Sequence, residues 1–394
     1  MTGSIVLRRA VAMTAAVLVV LGLAGCETRD KQQQLEQPGE VAPREIDRKK
    51  AERFSHTFWQ AGEAHLIDAR ASVEALNRAL ETLLDKPSED HLESAKLAWL
   101  DAHREFAGAL PYIQLAFAPA ELRDQGRELV LAMDSWPVQA GYLDTVPGYS
   151  ESGIVNDTAV ELTLANLRRQ HRLTAHEEAS TGFHALEIML WGPTSERTAE
   201  EFQPADKGEE PEALAANRRR ELTRLMGRAL EEDLEGLVRR WPFKANDLSR
   251  HFLALEPAAR LQQVRASHIR TVDEEILRRV PESSESDVES GRAADSKQAI
   301  LAMLRTLQAA WVPTKGPGMA ELLLDVRQQE LLEQDFEALE ELLVKMEDPI
   351  ELAELGQLAK ARELLEEMAG LMSGRKEVPA SEEEMTPVSF TTGN

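Results

Sequence analysis

The run STGFHALEIMLWG, Ser180 to Gly192, holds two ionisable side chains, His184 and Glu187, in a stretch that is otherwise almost wholly apolar. Three residues apart on a helix, they share a face and reach one another. A buried imidazole or ionised carboxylate without a partner is costly, so each must find one. The two could satisfy each other as core polar groups. They could be two ligands of a metal completed from other helices, or an acid–base pair. Spacing alone leaves all three open, because a single H-x-x-E is a weak motif. If a metal is held, oxygen-rich ligation with one or two histidines suits iron or another divalent cation better than a histidine-rich zinc site.

Further ligands would have to come from elsewhere. His103 and Glu105 lie in AWLDAHREF, beside the stripe that carries Trp99 and Phe106, and Asp134 stands in MDSWP just before Pro137. His103 and Asp134 are possible additional site residues, although such groups are more often solvated or capping. Glu285, Asp287 and Glu289 form an acidic run that is expected to be solvated. All nine histidines lie at or before His268, so the C-terminal part can offer carboxylates but no imidazole. There is no H-E-x-x-H, no G-x-S-x-G elbow and no Gly-rich phosphate loop. This speaks against the usual zinc protease, a serine hydrolase and nucleotide chemistry.

The elements that must position these residues read as helices. Leu92, Ala95, Trp99, Ala102, Phe106 and Leu110 step by three and four, as do Leu222, Met226, Leu230, Leu234, Leu237 and Trp241. Leu332 to Met346 and Leu358 to Met372 repeat the pattern, each an apolar stripe with charge on the other faces. Strand-like alternation is scarce, and the expected fold is all-α, two helical-bundle halves packed together. Asn156 or Asp157 can cap a helix reaching about Arg169, and Pro257 suits the first turn of one continuing to Arg279. Thr174 and Glu177 make a T-x-x-E capping box. If Thr174 caps a helix through Trp191, Gly182 sits inside it at a cost of about 1 kcal/mol. A glycine there fits a close approach by another backbone or a ligand. The alternative is a break at Gly182 and a new start at Phe183.

The chain of 394 residues carries a formal charge of −24. So acidic a surface argues against a nucleic-acid partner. Arg8 and Arg9 followed by AVAMTAAVLVVLGL and LAGC read as a secretory leader, residues 1–25, too short in its apolar part for a confident membrane span. Its last segment resembles a bacterial lipobox. That resemblance implies lipidation of Cys26, the one cysteine, and anchorage of the protein to a membrane of the cell envelope. Glu27 after it favours the outer membrane. Residues 26–45 read as a flexible tether, 46–280 as an N-terminal bundle, 281–296 as a linker, 297–372 as a C-terminal bundle and 373–394 as a disordered acidic tail.

TGFHALEIMLWG resembles the G-x-H-x-x-E signature of the imelysin-like proteins, including the Leu190, Trp191 and Gly192 that follow. AWLDAHREF is similar to the family's early W-x-x-A-R element, and MDSWPVQAGYLDTVPG to its W-P segment. NRRRELTRLMGRALEEDLEGLVRRW and AAWVPTKGPGMAELLLDV match later elements, so the likeness covers most of Ala51 to Gly370. It implies an exported, often lipid-anchored all-α protein, associated in many members with iron acquisition and catalogued among metallopeptidases. Carried over, the signature falls on Gly182, His184 and Glu187. His103 stands where an arginine is expected and Leu110 where a glutamate is; VDEEILRRVPESSESDV is only a loose counterpart of an acidic, histidine-bearing segment. The function this implies is a lipoprotein that binds iron or a metal-linked ligand and assists metal acquisition, with an envelope protein as a further partner. A metallopeptidase and a non-catalytic scaffold are the alternatives.

Overall fold

The computed structural model describes residues 46–206, 210–242, 247–283 and 286–374. The leader, Cys26, the tether, Glu285 and residues 375–394 of the tail lie outside them. Helix α1 (Arg48–Asp85) begins at Asp47, whose carboxylate accepts the backbone N–H groups of Lys49 at 2.9 Å and Lys50 at 3.0 Å. Two donors that the first turn leaves free are thereby satisfied. Its buried Leu66, Ala69, Val73, Leu76, Leu80 and Leu83 step by four and three, which makes one apolar stripe. A short turn leads into α2 (Glu89–Ala116), which packs along that stripe with its own, from Leu92 to Ile113.

The middle of the chain is less regular: α3 (Ala120–Met133), the short α4 (Ala140–Leu143), α5 (Leu164–Gln170) and α6 (Phe183–Trp191) are joined by turns. Helix α7 (Ala215–Arg240) then packs on α1. After α8 (Asp247–Leu253) comes α9 (Pro257–Arg270), which continues through a π-helical turn, Thr271–Ile276, into α10 (Leu277–Arg279). Residues 281–295 lead to α11 (Ser296–Trp311) and the short α12 (Met319–Leu323). Helices α13 (Val326–Lys345) and α14 (Leu355–Ser373) pack as a pair. There is no strand among the described residues, only an isolated bridge between Val146 and Tyr149. The all-α expectation holds.

Helices from both sides of 281–295 share one apolar core. Helix α9 lies on α1 and α2, α11 lies on α2, and α14 lies on α9. Trp59 and Trp241 join α1 to the end of α7. Their rings stack 4.5 Å apart, and each indole N–H donates to the other's carbonyl, at 3.0 and 3.1 Å. Gly62 makes room for this, since a Cβ there would lie 2.7 Å from the Trp241 ring. No helix among the described residues is long and apolar enough to cross a membrane.

Two helix starts differ from expectation. Asn156 and Asp157 sit in turns, and the helix that ends near Arg169 starts at Leu164, where the Thr163 hydroxyl accepts the Asn166 N–H at 3.2 Å. Thr174 caps nothing: its hydroxyl is bonded to the Glu178 carboxylate, and α6 begins only at Phe183. The break falls at Gly182, whose φ of +98° a side chain would strain. Pro257 does open α9, as its fixed φ favours.

Candidate metal centre

Gly182 is where the site is assembled. A Cβ at this position would lie 2.7 Å from the Met133 carbonyl oxygen and 3.1 Å from that of Ala132. Only a glycine lets the start of α6 press this closely on the end of α3. Thr181 adds a hydroxyl bond to the Ala132 carbonyl at 3.1 Å. Asp134, which follows Met133, and His184, two residues after Gly182, are thereby brought into contact. On the other side, the Trp99 indole of α2 donates to the Phe183 carbonyl at 2.9 Å, and Trp99 stacks on His103 one turn later, 4.8 Å between rings.

The two imidazoles are held alike. At His184, Nδ1 faces Glu187 Oε2 at 3.1 Å while Nε2 faces Asp134 Oδ1 at 2.8 Å and Glu289 Oε1 at 3.8 Å. At His103, Nδ1 faces Asp295 Oδ2 at 2.9 Å while Nε2 faces Glu289 Oε1 at 3.6 Å. Each carboxylate behind an Nδ1 is itself anchored. Glu187 Oε1 accepts the backbone N–H groups of Arg292 and Ala293, both at 2.9 Å, and Asp295 accepts from Arg104 at 2.6 Å. The Ser290 N–H donates to the Ser296 hydroxyl at 3.1 Å, which closes the loop around Asp295.

His103, Asp134, His184 and Glu289 are all buried, and one ligand atom from each lies within 4.8 Å of the other three. They could hold a metal ion. Arg279 spans the carboxylate side: it donates to Asp134, to Glu289 and, at 2.9 Å, to Glu275. The π-helical turn carries Glu275, and Arg279 follows on the next turn, so both point into the same side of the site.

The family model for imelysin matches residues 63–375. The chain belongs to the imelysin family. Two solved structures share its fold. An imelysin-like protein from Psychrobacter arcticum is 13% identical with a TM-score of 0.53, over 85% of this chain and 96% of the other. A protein from Parabacteroides distasonis named as an iron-regulated protein A precursor is 13% identical with a TM-score of 0.57, over 85% and 97%. No curated protein matches the chain.

The side chains that converge here are only partly those the sequence singled out. His184, His103 and Asp134 meet as a group, beside Gly182. Glu187 lies outside the group of four, on the Nδ1 side of His184, with both oxygens bonded. Glu289 takes the fourth place. It is 4% exposed, so the expectation of a solvated acidic run fails for it, while Asp287 is exposed. The cause is Arg279, which pairs with it in the interior. Glu105 is exposed and Leu110 is core. Sequence reasoning missed Glu289, Asp295, Glu275 and Arg279. The one signal was the i, i+4 spacing of Glu275 and Arg279 on a stretch also bearing Val272, Ile276 and Val280.

Burial disfavours charge on both histidines and is the largest single influence on them. Hydrogen bonds to Asp134 and Glu187 nevertheless push His184 up to about 9. The bond to Asp295 and the nearby charge of Glu289 push His103 up to about 10. Burial also opposes ionisation of Asp134 and Glu289, but Arg279 above all, and then the facing histidines, hold both below the usual carboxylate range. Glu275 goes the other way, raised by burial that Arg279 only partly offsets. Asp134, Glu187, Glu289, Asp295 and Glu275 outnumber the two guanidiniums, of Arg104 and Arg279, that pair with them. Imidazolium protons or a bound cation would offset that excess. Glu289 Oε2 is buried without a hydrogen-bond partner. A buried carboxylate oxygen left without a donor fits a cation.

Proposed function

We propose that this imelysin is a metal-binding protein of the bacterial cell envelope, holding iron or another divalent cation through His103, His184, Asp134 and Glu289. The observation that carries the reading is the matched setting of the two imidazoles. Each has Nδ1 fixed by an anchored carboxylate and turns Nε2 toward a point shared with Asp134 and Glu289. Carboxylates behind ligating histidines set the tautomer and the ring orientation. Glu187 and Asp295 are positioning residues in that scheme, and Arg279 orients the two carboxylate ligands. A bound divalent ion would supply the positive charge that the two imidazolium protons otherwise provide.

Mixed nitrogen and oxygen donors favour iron among the candidates, and the Parabacteroides distasonis neighbour is named for iron regulation. The leader and Cys26 support export and lipid anchorage, hence a role in metal acquisition, with an envelope protein as the partner. The metallopeptidase alternative has one observation behind it: Glu275, a buried carboxyl raised above its usual range, lines a cavity that also reaches Asp134.

The test is calorimetry on chelator-stripped protein titrated with ferrous or zinc ion. One ion per chain is expected, lost in His184→Ala with Glu289→Gln and weakened about 10- to 100-fold in Glu187→Gln. Equal uptake by wild type and the double variant would overturn the reading. Chelator-sensitive cleavage of an unfolded substrate, abolished by Glu275→Gln, would favour the peptidase.

A further inference from the structure

The candidate metal centre stands on the contact between the end of α3 and the start of α6. One histidine outside the four ligands is built into that contact. His171 directly follows α5. Its backbone N–H donates to the Leu167 carbonyl at 3.0 Å, and the Ser180 hydroxyl donates to the same carbonyl at 2.7 Å. The end of α5 is thereby tied to the segment that leads into α6. Arg172 turns the chain back between them. Its φ of +55° lies in the left-handed region, which is unfavourable for a residue with a side chain, and its N–H donates to the Glu178 carbonyl at 2.8 Å.

His171 Nε2 lies 2.9 Å from the Leu131 carbonyl oxygen of α3. A carbonyl can only accept, so this nitrogen carries the proton and Nδ1 is the acceptor. The Thr181 N–H donates to Nδ1 at 3.3 Å; the Thr181 hydroxyl lies 3.1 Å from Nδ1 and bonds to the Ala132 carbonyl at 3.1 Å. One neutral imidazole in one tautomer therefore bridges α3 to the residue before Gly182. Asp134 lies three residues beyond Leu131, and His184 three beyond Thr181.

A second proton, on Nδ1, would point at the Thr181 N–H and take away its acceptor. The surroundings keep that proton off. Burial lowers His171 below its ordinary 6.5, and the Leu131 carbonyl offsets part of this; Arg172 and Arg168 of α5 oppose the charge, while Glu128 of α3 favours it. Ser180, Thr181 and Gly182 bring no charge of their own. The neutral bridge is whole above pH 6.5 and is lost as pH falls through the lowered value.

We propose that His171 is a positioning residue of the metal centre: neutral, it holds α3 against α6 with Asp134 facing His184, and protonated, it lets go and metal affinity falls. Acid release of the ion rests on the metal reading above, whereas the hold on the contact between Asp134 and His184 does not.

The experiment uses chelator-stripped protein, with thermal unfolding as a check on folding. Zinc is titrated at pH 7.5 and at pH 5.5 into wild type, His171→Ala and His171→Gln. The glutamine amide can donate to Leu131 and accept from Thr181 yet takes up no proton. At pH 7.5 His171→Ala should bind zinc about tenfold more weakly, and His171→Gln should keep the wild-type affinity. At pH 5.5 protons compete for His103 and His184 in every variant alike, and wild type should lose several-fold more affinity than His171→Gln. The ring nitrogen-15 signals of His184 in the stripped protein at pH 7.5 report the same contact without metal. They should move in His171→Ala and stay in His171→Gln. Wild-type affinity with unmoved His184 signals in a folded His171→Ala would overturn the proposal, as would equal losses on acidification in wild type and His171→Gln. If His171→Ala unfolds, wild type against His171→Gln at the two pH values still decides. No zinc uptake by wild type would remove the metal centre and leave the bridge to the His184 signals, where movement in His171→Ala supports it and stillness overturns it.

Discussion

Three buried histidines divide into two kinds of environment. His103 and His184 are ringed by carboxylates and pushed up to about 10 and 9. His268, on α9 and only eleven residues before Arg279, has no carboxylate beside it. Its Nδ1 accepts the Trp311 indole N–H at 3.0 Å, its Nε2 is buried without a partner, and Phe58 meets it edge-on at 5.2 Å. Burial alone lowers it to about 3. All three side chains are equally withdrawn from water, so burial does not decide the charge. The carboxylates do, and they hold their own charge because Arg279 and Arg104 are buried or half-buried with them. A cation can replace protons only where such a balanced group exists, which is why His268 is core and the other two form a candidate site.

The sharpest way to break this comparison is to remove Arg279. Arg279→Met leaves Asp134, Glu289 and Glu275 buried around a neutral side chain, and the stripped protein is expected to lose about 3–5 kcal/mol by urea unfolding. A loss under about 1 kcal/mol would show that the carboxylates do not depend on it. A saturating divalent cation should recover part of the loss. Gly182→Ala comes next. Its φ of +98° and the Met133 carbonyl 2.7 Å from the new methyl group predict a loss of about 2 kcal/mol. Because the same contact sets the spacing of Asp134 and His184, metal affinity should fall with it. Retained affinity in a folded variant would mean that the contact does not align the ligands.

Acid and base should act on the two environments with opposite signs. For the stripped protein, His103 and His184 have folded values above the ordinary 6.5, so their contribution is whole below pH 6.5 and is lost as pH rises through about 9 and 10. Each lowers stability by up to about 1.4 kcal/mol per pH unit in that window. His268 has a folded value below 6.5, so its contribution is whole above pH 6.5 and falls as pH drops toward 3. Unfolding followed from pH 5 to pH 9.5 should therefore show a maximum near neutrality. Loading with metal should flatten the alkaline limb, because the protons are no longer what balances Asp134 and Glu289. An alkaline limb unchanged in His184→Gln would count against the assignment.

The parts of this arrangement that repeat locally were legible in the sequence, and the parts that depend on distant partners were not. The stripes of α2, α7, α13 and α14 are periodic, and periodicity reports one buried face whatever covers it. The signature block announced Gly182, His184 and Glu187. It could not show that Glu187 turns back to the Arg292 and Ala293 amides while a glutamate about a hundred residues on faces His184. Glu289 sits among serines and acids, a context that reads as solvated. Only its pairing with Arg279 makes its burial tolerable. Thr174 misled for a related reason: the T-x-x-E pattern is local, but the start of α6 is set by the contact between Gly182 and the end of α3.

The smallest expected effect carries the most information about His268. Replacing it by leucine removes the acceptor of the Trp311 N–H, which costs about 1–3 kcal/mol when a buried donor is left unpaired. It also removes the buried Nε2 that has no partner, and the added apolar contact offsets part of the rest. At pH 7.5 the net loss should be about 1 kcal/mol. At pH 5 the balance changes sign. There the unfolded wild type gains a proton that the folded pocket refuses, which costs wild type about 2 kcal/mol relative to neutrality and the variant nothing. His268→Leu should thus be less stable than wild type at pH 7.5 and more stable at pH 5, with the crossing near pH 6. A variant equally destabilised at both values would mean that His268 accepts its proton in the folded state after all. In that case the contrast with His103 and His184 would rest on something other than their carboxylates.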